Sequence, residues 1–170
     1  MRRFPLLCLL LCATVSGESL RAELIITEIQ SANSATLLDA DGDSSDWIEI
    51  YNSGLSDADL AGYYLTDDPA ELTRWQFPEQ PLSVGGFLVV FASGKDRSTV
   101  GSELHTDFQL GSGGEYLALV RPDGATIEHA YAPTFSAMTD DESYGRPFAS
   151  SSLIAEGADA EVFVPTNGTL

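Results

Sequence analysis

Hydrophobic and polar positions along this chain alternate in short runs broken by turn residues, and no stretch of 3.6-residue helical periodicity is long enough to compete. The first run, Leu24-Ile25-Ile26-Thr27-Glu28-Ile29, is β-like throughout. Beyond an acidic loop, Trp47-Ile48-Glu49-Ile50-Tyr51 alternates cleanly, which puts Ile48 and Ile50 on one face of a strand and Trp47, Glu49 and Tyr51 on the other. Asn52-Ser53-Gly54 stops that strand, and β character resumes over residues 60–66 before Asp67-Asp68-Pro69 ends it. Arg74-Trp75-Gln76-Phe77 is a short alternating piece closed by Pro78. Phe87-Leu88-Val89-Val90-Phe91-Ala92, between Gly85-Gly86 and Ser93-Gly94, is the strongest apolar run outside the N-terminus, the pattern of a strand buried on both faces at the centre of a sheet. Residues 115–120 and 125–131 flank Arg121-Pro122-Asp123-Gly124, where Pro presets the first corner and Gly supplies positive φ, so a hairpin is expected there. Weak strands are expected around residues 106–110 and at Ser143-Tyr144.

Seven or eight short strands with turns between them, and no helices to cover a parallel sheet, predict an all-β fold, an immunoglobulin-like antiparallel β-sandwich. The domain is expected over residues 23–148. Before it, Arg2 and Arg3 precede an apolar run from Pro5 to Val15, the length of a signal-peptide core and too short to span a bilayer. Residues 1–22 are therefore read as a secretory leader cut after Ala22, with Val15-Ser16-Gly17 offering an earlier cut. The protein is then secreted or extracytoplasmic, with no transmembrane segment once the leader is gone. Residues 149–170 turn Ser/Ala-rich and then apolar, which reads as a linker or the start of a further segment of a longer protein.

Charge narrows the function. There are 26 acidic and 8 basic residues in 170, a formal charge of −18, the reverse of the basic footprint that nucleic acid demands. Leader removal deepens this to −20, with 5 basic and 25 acidic residues left. An apolar content of 44% supplies enough core material to exclude disorder. Cys8 and Cys12 leave with the leader, which excludes a disulfide and cysteine catalysis in the mature chain.

The densest chemistry is Asp39-Ala40-Asp41-Gly42-Asp43-Ser44-Ser45-Asp46, whose four carboxylates, Asp39, Asp41, Asp43 and Asp46, form a candidate Ca²⁺ loop. It is not an EF-hand, because Ser44 and Ile50 stand where that loop needs Gly and a bidentate Glu. The bland reading is a solvated loop whose Asp and Gly residues serve turn geometry. His105 and His129 each have an acid nearby, Asp107 and Glu128, but no nucleophile elbow or metal-binding His motif accompanies them, and they read as surface or hydrogen-bonded structural residues. Gly111-Ser112-Gly113-Gly114 lacks the Lys-Ser/Thr and helix start of a phosphate loop, and Lys95-Asp96-Arg97 reads as a solvated polar turn. Trp47, Tyr51, Tyr63, Tyr64 and Trp75 are candidates for an aromatic carbohydrate-binding platform, against the default that such rings pack in the core or in cross-strand pairs.

The ordered succession of residues 24–29, then Asp46-Trp47-Ile48-Glu49-Ile50-Tyr51-Asn52, then residues 60–68, Arg74-Trp75-Gln76-Phe77-Pro78, residues 85–97 and residues 114–120 resembles the lamin-tail domain of bacterial, secreted proteins. The resemblance runs from about Leu24 to Gly145. It implies an immunoglobulin-like sandwich and a noncatalytic accessory module of a larger exported protein, with a role in interaction or surface tethering and no catalytic residues to carry over. The function expected is mediation of protein or surface-polymer interaction, without nucleic acid. The alternatives are a calcium-stabilised or carbohydrate-binding domain and, behind them, a metal-dependent hydrolase using Asp39, Asp41 or Asp43.

Overall fold

The computed structural model describes residues 22–145; the expected leader, apart from Ala22, and the expected linker at 149–170 lie outside the described residues. Ten strands are described in this order: β1 (Leu24–Gln30), β2 (Asp46–Asn52), β3 (Ala58–Asp59), β4 (Tyr64–Thr66), β5 (Trp75–Gln76), β6 (Pro81–Leu82), β7 (Phe87–Ala92), β8 (Leu117–Val120), β9 (Ile127–Tyr131) and β10 (Tyr144–Gly145). They form one four-stranded sheet ordered β10-β1-β2-β7, a second ordered β5-β4-β8-β9, and a small β3-β6 ribbon, with every strand pair antiparallel. The all-β sandwich expected from the hydrophobic pattern is the fold observed.

Alternation decides what each sheet buries. Ile48 and Ile50 of β2 have no exposed surface, and they join Ile26 and Ile29 of β1, Val90 of β7, Leu65 of β4 and Leu117 and Leu119 of β8 in one core between the sheets. Each such aliphatic side chain contributes roughly 1.5–3 kcal/mol on burial. The sheets also meet through backbone. A register shift in β1 between Ile26 and Glu28 turns Ile26 toward β9, where its N–H donates to His129 Nδ1 and its carbonyl accepts from the Tyr131 hydroxyl, both at 3.3 Å.

Three strand expectations need correction. Phe87–Ala92 was expected at the centre of a sheet, yet β7 ends its strand order, and Phe87 is 51% exposed. Its later residues are buried because residues 104–109 cover them: Phe91 N–H donates to Leu104 O, and Thr106 N–H donates to Phe91 O, both at 2.9 Å. The strand buried on both faces is β8, which packs Leu117 and Leu119 into the main core and Ala118 and Val120 against Tyr64, Leu72 and Ala130 on the other side. An apolar run does not by itself distinguish cover by neighbouring strands from cover by a loop. The run expected over 60–66 is shortened to Tyr64–Thr66 by a turn in which Tyr63 N–H donates to Leu60 O. Residues 106–110 contribute only an isolated bridge from Gln109 to Ser93, whereas Tyr144 does pair with β1.

The predicted hairpin is present as β8 and β9. Gly124 N–H donates to Arg121 O at 2.9 Å, and Gly124 takes φ 68°. Gly114 is under tighter constraint: it has φ 87°, and a Cβ there would come within 2.4 Å of the Phe135 carbonyl oxygen. Gly114→Ala should therefore lower stability by at least about 2 kcal/mol, whereas Gly113→Ala, with nothing within 4 Å of its Cβ, should change it by under about 1 kcal/mol. Urea denaturation of both variants checks the contrast; equal losses would contradict it.

Candidate functional site

At the C-terminal end of β7 the chain reverses through Ser93-Gly94-Lys95-Asp96-Arg97, with Asp96 in the left-handed region at φ 52°. Arg97 and His105 exchange two backbone hydrogen bonds of 2.9 Å, which lace this turn to residues 104–106. The reversal aims Lys95 at the acidic loop between β1 and β2.

Asp39 organises that loop. Its side chain has no exposed surface; Oδ1 accepts the N–H groups of Asp41 and Asp43 at 3.0 Å each, and Oδ2 accepts the Ser45 hydroxyl at 2.8 Å. Lys95 Nζ lies 2.5 Å from Asp39 Oδ2, 2.8 Å from Asp41 Oδ2 and 2.9 Å from Asp43 Oδ2, while Arg97 Nη2 lies 2.7 Å from Asp41 Oδ2. Burial by itself would raise the Asp39 carboxyl, but the hydrogen bonds from Lys95, Ser45 and the loop backbone outweigh it and hold it well below the usual carboxylate range. Burial likewise pulls against the Lys95 ammonium, and its three carboxylate partners push it above the usual lysine range.

Of the four carboxylates named from sequence, Asp39, Asp41 and Asp43 are brought together, with ligand oxygens within 4.8 Å of one another. Asp46 is not with them. It is the first residue of β2, its Oδ1 accepts the Asn33 N–H at 3.1 Å, and burial raises its carboxyl despite that bond. The centre of the triad is taken by the chain's own ammonium, so a divalent ion would compete with Lys95 for the same oxygens. Lys95-Asp96-Arg97, read from sequence as a solvated turn, is the cationic half of this cluster.

Beside it lies an arrangement that proximity in sequence did not show. His105, with no exposed surface, stacks on Phe91 at 5.3 Å; its Nδ1 is 2.8 Å from Ser93 Oγ, and its Nε2 is 2.9 Å from Glu103 Oε1. The same Glu103 oxygen accepts the Ala40 N–H at 2.9 Å, tying the acidic loop to this corner. The acid nearest His105 by pattern was Asp107, but Glu103 and Asp107 both stand two residues away, and Asp107 turns to Arg74 instead, 3.5 Å from its Nε. A Ser–His–carboxylate trio suggests acyl transfer, but a general base must reach the substrate's leaving group, and this imidazole has no exposed surface. A cleft of about 460 Å³ opens nearby, lined by Ala40, Arg97, Ser98, Thr99, Ser102 and Glu103. His129 is structural as well, holding Ile26 as described, while Glu128 pairs with Arg121.

The five candidate platform rings do not share a face. Trp47 and Tyr51 stand on β2 of one sheet, Tyr64 and Trp75 belong to the other, and Trp75 is only 3% exposed. Trp47 donates its Nε1–H to Gln30 at 2.6 Å, and Tyr51 stacks on Phe87 at 4.5 Å. Most of these aromatics serve packing and cross-strand pairing.

A two-sheet antiparallel sandwich with this strand succession is what the sequence resemblance implies, and the family model described as Lamin Tail Domain matches residues 18–133, well over half the chain. The chain belongs to the lamin tail domain family. The lamin tail domain is an immunoglobulin-like, non-enzymatic fold, consistent with a general interaction role. The matched span of the lamin tail domain contains the whole Lys95 cluster and the His105 corner. Comparison with curated proteins returned no match. No helix among the described residues of this lamin tail domain is long and apolar enough to cross a membrane.

The cluster has a pH signature. Asp39 is depressed from an ordinary 3.8, so its stabilisation is present above that value and is lost as pH falls below it; Lys95 is raised from an ordinary 10.5, so its share is present below that value and is lost as pH rises beyond it. Melting temperature should therefore plateau between about pH 5 and 9, and Asp39→Asn should flatten the acid limb. An unchanged acid limb in that variant would contradict the assignment. Competition for the oxygens is checked separately: Ca²⁺ should raise the melting temperature of Lys95→Met more than that of the parent chain, and equal shifts would place any bound ion elsewhere.

Proposed function

We propose that this chain is exported and acts as a noncatalytic module that holds a larger protein to a protein or cell-surface polymer. The observation that carries the reading is the lamin tail sandwich in which groups with chemical potential are spent on architecture. Asp39, Asp41 and Asp43 surround Lys95, and His105 is sealed between Ser93 and Glu103. Export is supported by the leader pattern of residues 1–22 and by a strongly acidic composition suited to a solvated exterior.

Calcium binding is the second reading, favoured by the mutual spacing of the Asp39, Asp41 and Asp43 oxygens. Three carboxylates fall short of the six to eight oxygens Ca²⁺ takes, so the loop backbone or water would supply the rest. Carbohydrate binding has less support once Trp75 is buried.

Expression of the full chain in a bacterial host should yield an exported product whose mass corresponds to loss of residues 1–22; an uncleaved chain retained in the cell would contradict export. Immobilised, that product should retain a component of an exoprotein or cell-wall polymer fraction. Retention from neither fraction would contradict the interaction role.

A further inference from the structure

We infer that the interaction surface of this module is the end of the sandwich formed by residues 53–57 and 83–89, and that its occupant is a polypeptide segment bearing lysine or arginine beside an apolar anchor. The inference rests on the interaction-module reading and gives it a place and a chemistry.

Turn residues at a strand end are ordinarily polar. Here Leu55 is 68% exposed, Val84 48% and Phe87 51%. The two turns are locked to each other. Asn52, itself fully buried, donates its side-chain N–H groups to Ser56 O at 2.9 Å and Leu82 O at 3.1 Å, and its backbone exchanges hydrogen bonds with Gly85 and Gly86. Val84 N–H donates to Asp57 Oδ1 at 2.9 Å, and the Tyr51–Phe87 stack stands at the base. These apolar side chains are therefore presented on a fixed frame, which lowers the ordering cost of binding.

Charge selects the occupant. Between Ala22 and Gly145 there are four basic side chains, and each is held by carboxylates of its own chain: Arg74 by Asp67 and Asp107, Lys95 by the Asp39 triad, Arg97 by Asp41, and Arg121 by Glu128. The carboxylate residues around the tip are Glu23, whose carbonyl accepts the Ser53 N–H at 2.8 Å, and Asp57. Neither takes part in an ion pair among the described residues. An apolar tip with an acidic rim is complementary to an apolar anchor flanked by cations, and it disfavours an acidic partner.

The test titrates the full chain with a synthetic peptide alternating lysine with leucine and valine, read by amide chemical shifts. A glutamate-for-lysine peptide serves as charge control. Shifts should concentrate on residues 53–57 and 83–89, affinity should fall at least tenfold in Leu55→Ser/Val84→Ser and weaken with added salt, and the acidic peptide should not bind. Ile127→Ser, which removes an exposed apolar side chain on β9, should bind as the parent does. Equal melting temperatures of the variants separate lost contact from lost fold. Shifts confined to residues 39–43, undiminished binding by the double variant, or equal binding of the acidic peptide would overturn the assignment. If the double variant still retains the exoprotein or cell-wall component, the tip assignment fails while the interaction role stands.

Discussion

Asp39, Asp41 and Asp43 present oxygens within 4.8 Å of one another, a spacing at which carboxylates repel. The loop joining β1 to β2 closes because Lys95 enters from the turn after β7 and places one ammonium against all three. That contact joins two segments more than fifty residues apart. The neighbouring polar contacts follow from it: Glu103 caps Ala40 in the acidic loop and also holds His105, which in turn positions Ser93 at the end of β7. Hydrophobic burial makes the sandwich, and this cation sets how its acidic corner is shaped.

The same economy explains the charge. With four cations between Ala22 and Gly145, all held internally, the remaining carboxylates have no lysine or arginine partner among the described residues, and most of them face solvent. Such a surface resists edge-to-edge association, which matters for a sheet whose edge strand β7 starts with an exposed phenylalanine.

Much of the fold was legible because strand alternation is a local property. The alternation of Trp47–Tyr51 places Ile48 and Ile50 together on one face, which the structure buries, and Arg121-Pro122-Asp123-Gly124 marks its hairpin through residues that each act on their own backbone. What stayed hidden depends on contacts between distant segments. Phe87–Ala92 reads as a central strand, since nothing in its own residues tells that residues 104–109 cover only its second half. The candidate site divides along the same line. The grouping of Asp39, Asp41 and Asp43 was visible in their spacing, but the identity of the cation at their centre was not, although Lys95 is one of only five basic residues outside the leader. Asp46 follows three residues after Asp43 as the first residue of β2, where strand geometry turns it to Asn33. Glu103, two residues from His105 just as Asp107 is, had no local mark to favour it.

The central claim is that Lys95 and Asp39 act as one unit, and a double-mutant cycle measures it most directly. Stability of the parent chain, Asp39→Asn, Lys95→Met and the double variant would be determined by urea denaturation at neutral pH. A hydrogen-bonded pair between a buried carboxylate and a half-buried ammonium predicts a coupling energy of at least about 1 kcal/mol, with the double variant losing less than the sum of the single losses. Additivity within about 0.5 kcal/mol would show that the ammonium and the carboxylate contribute independently, and would contradict the account.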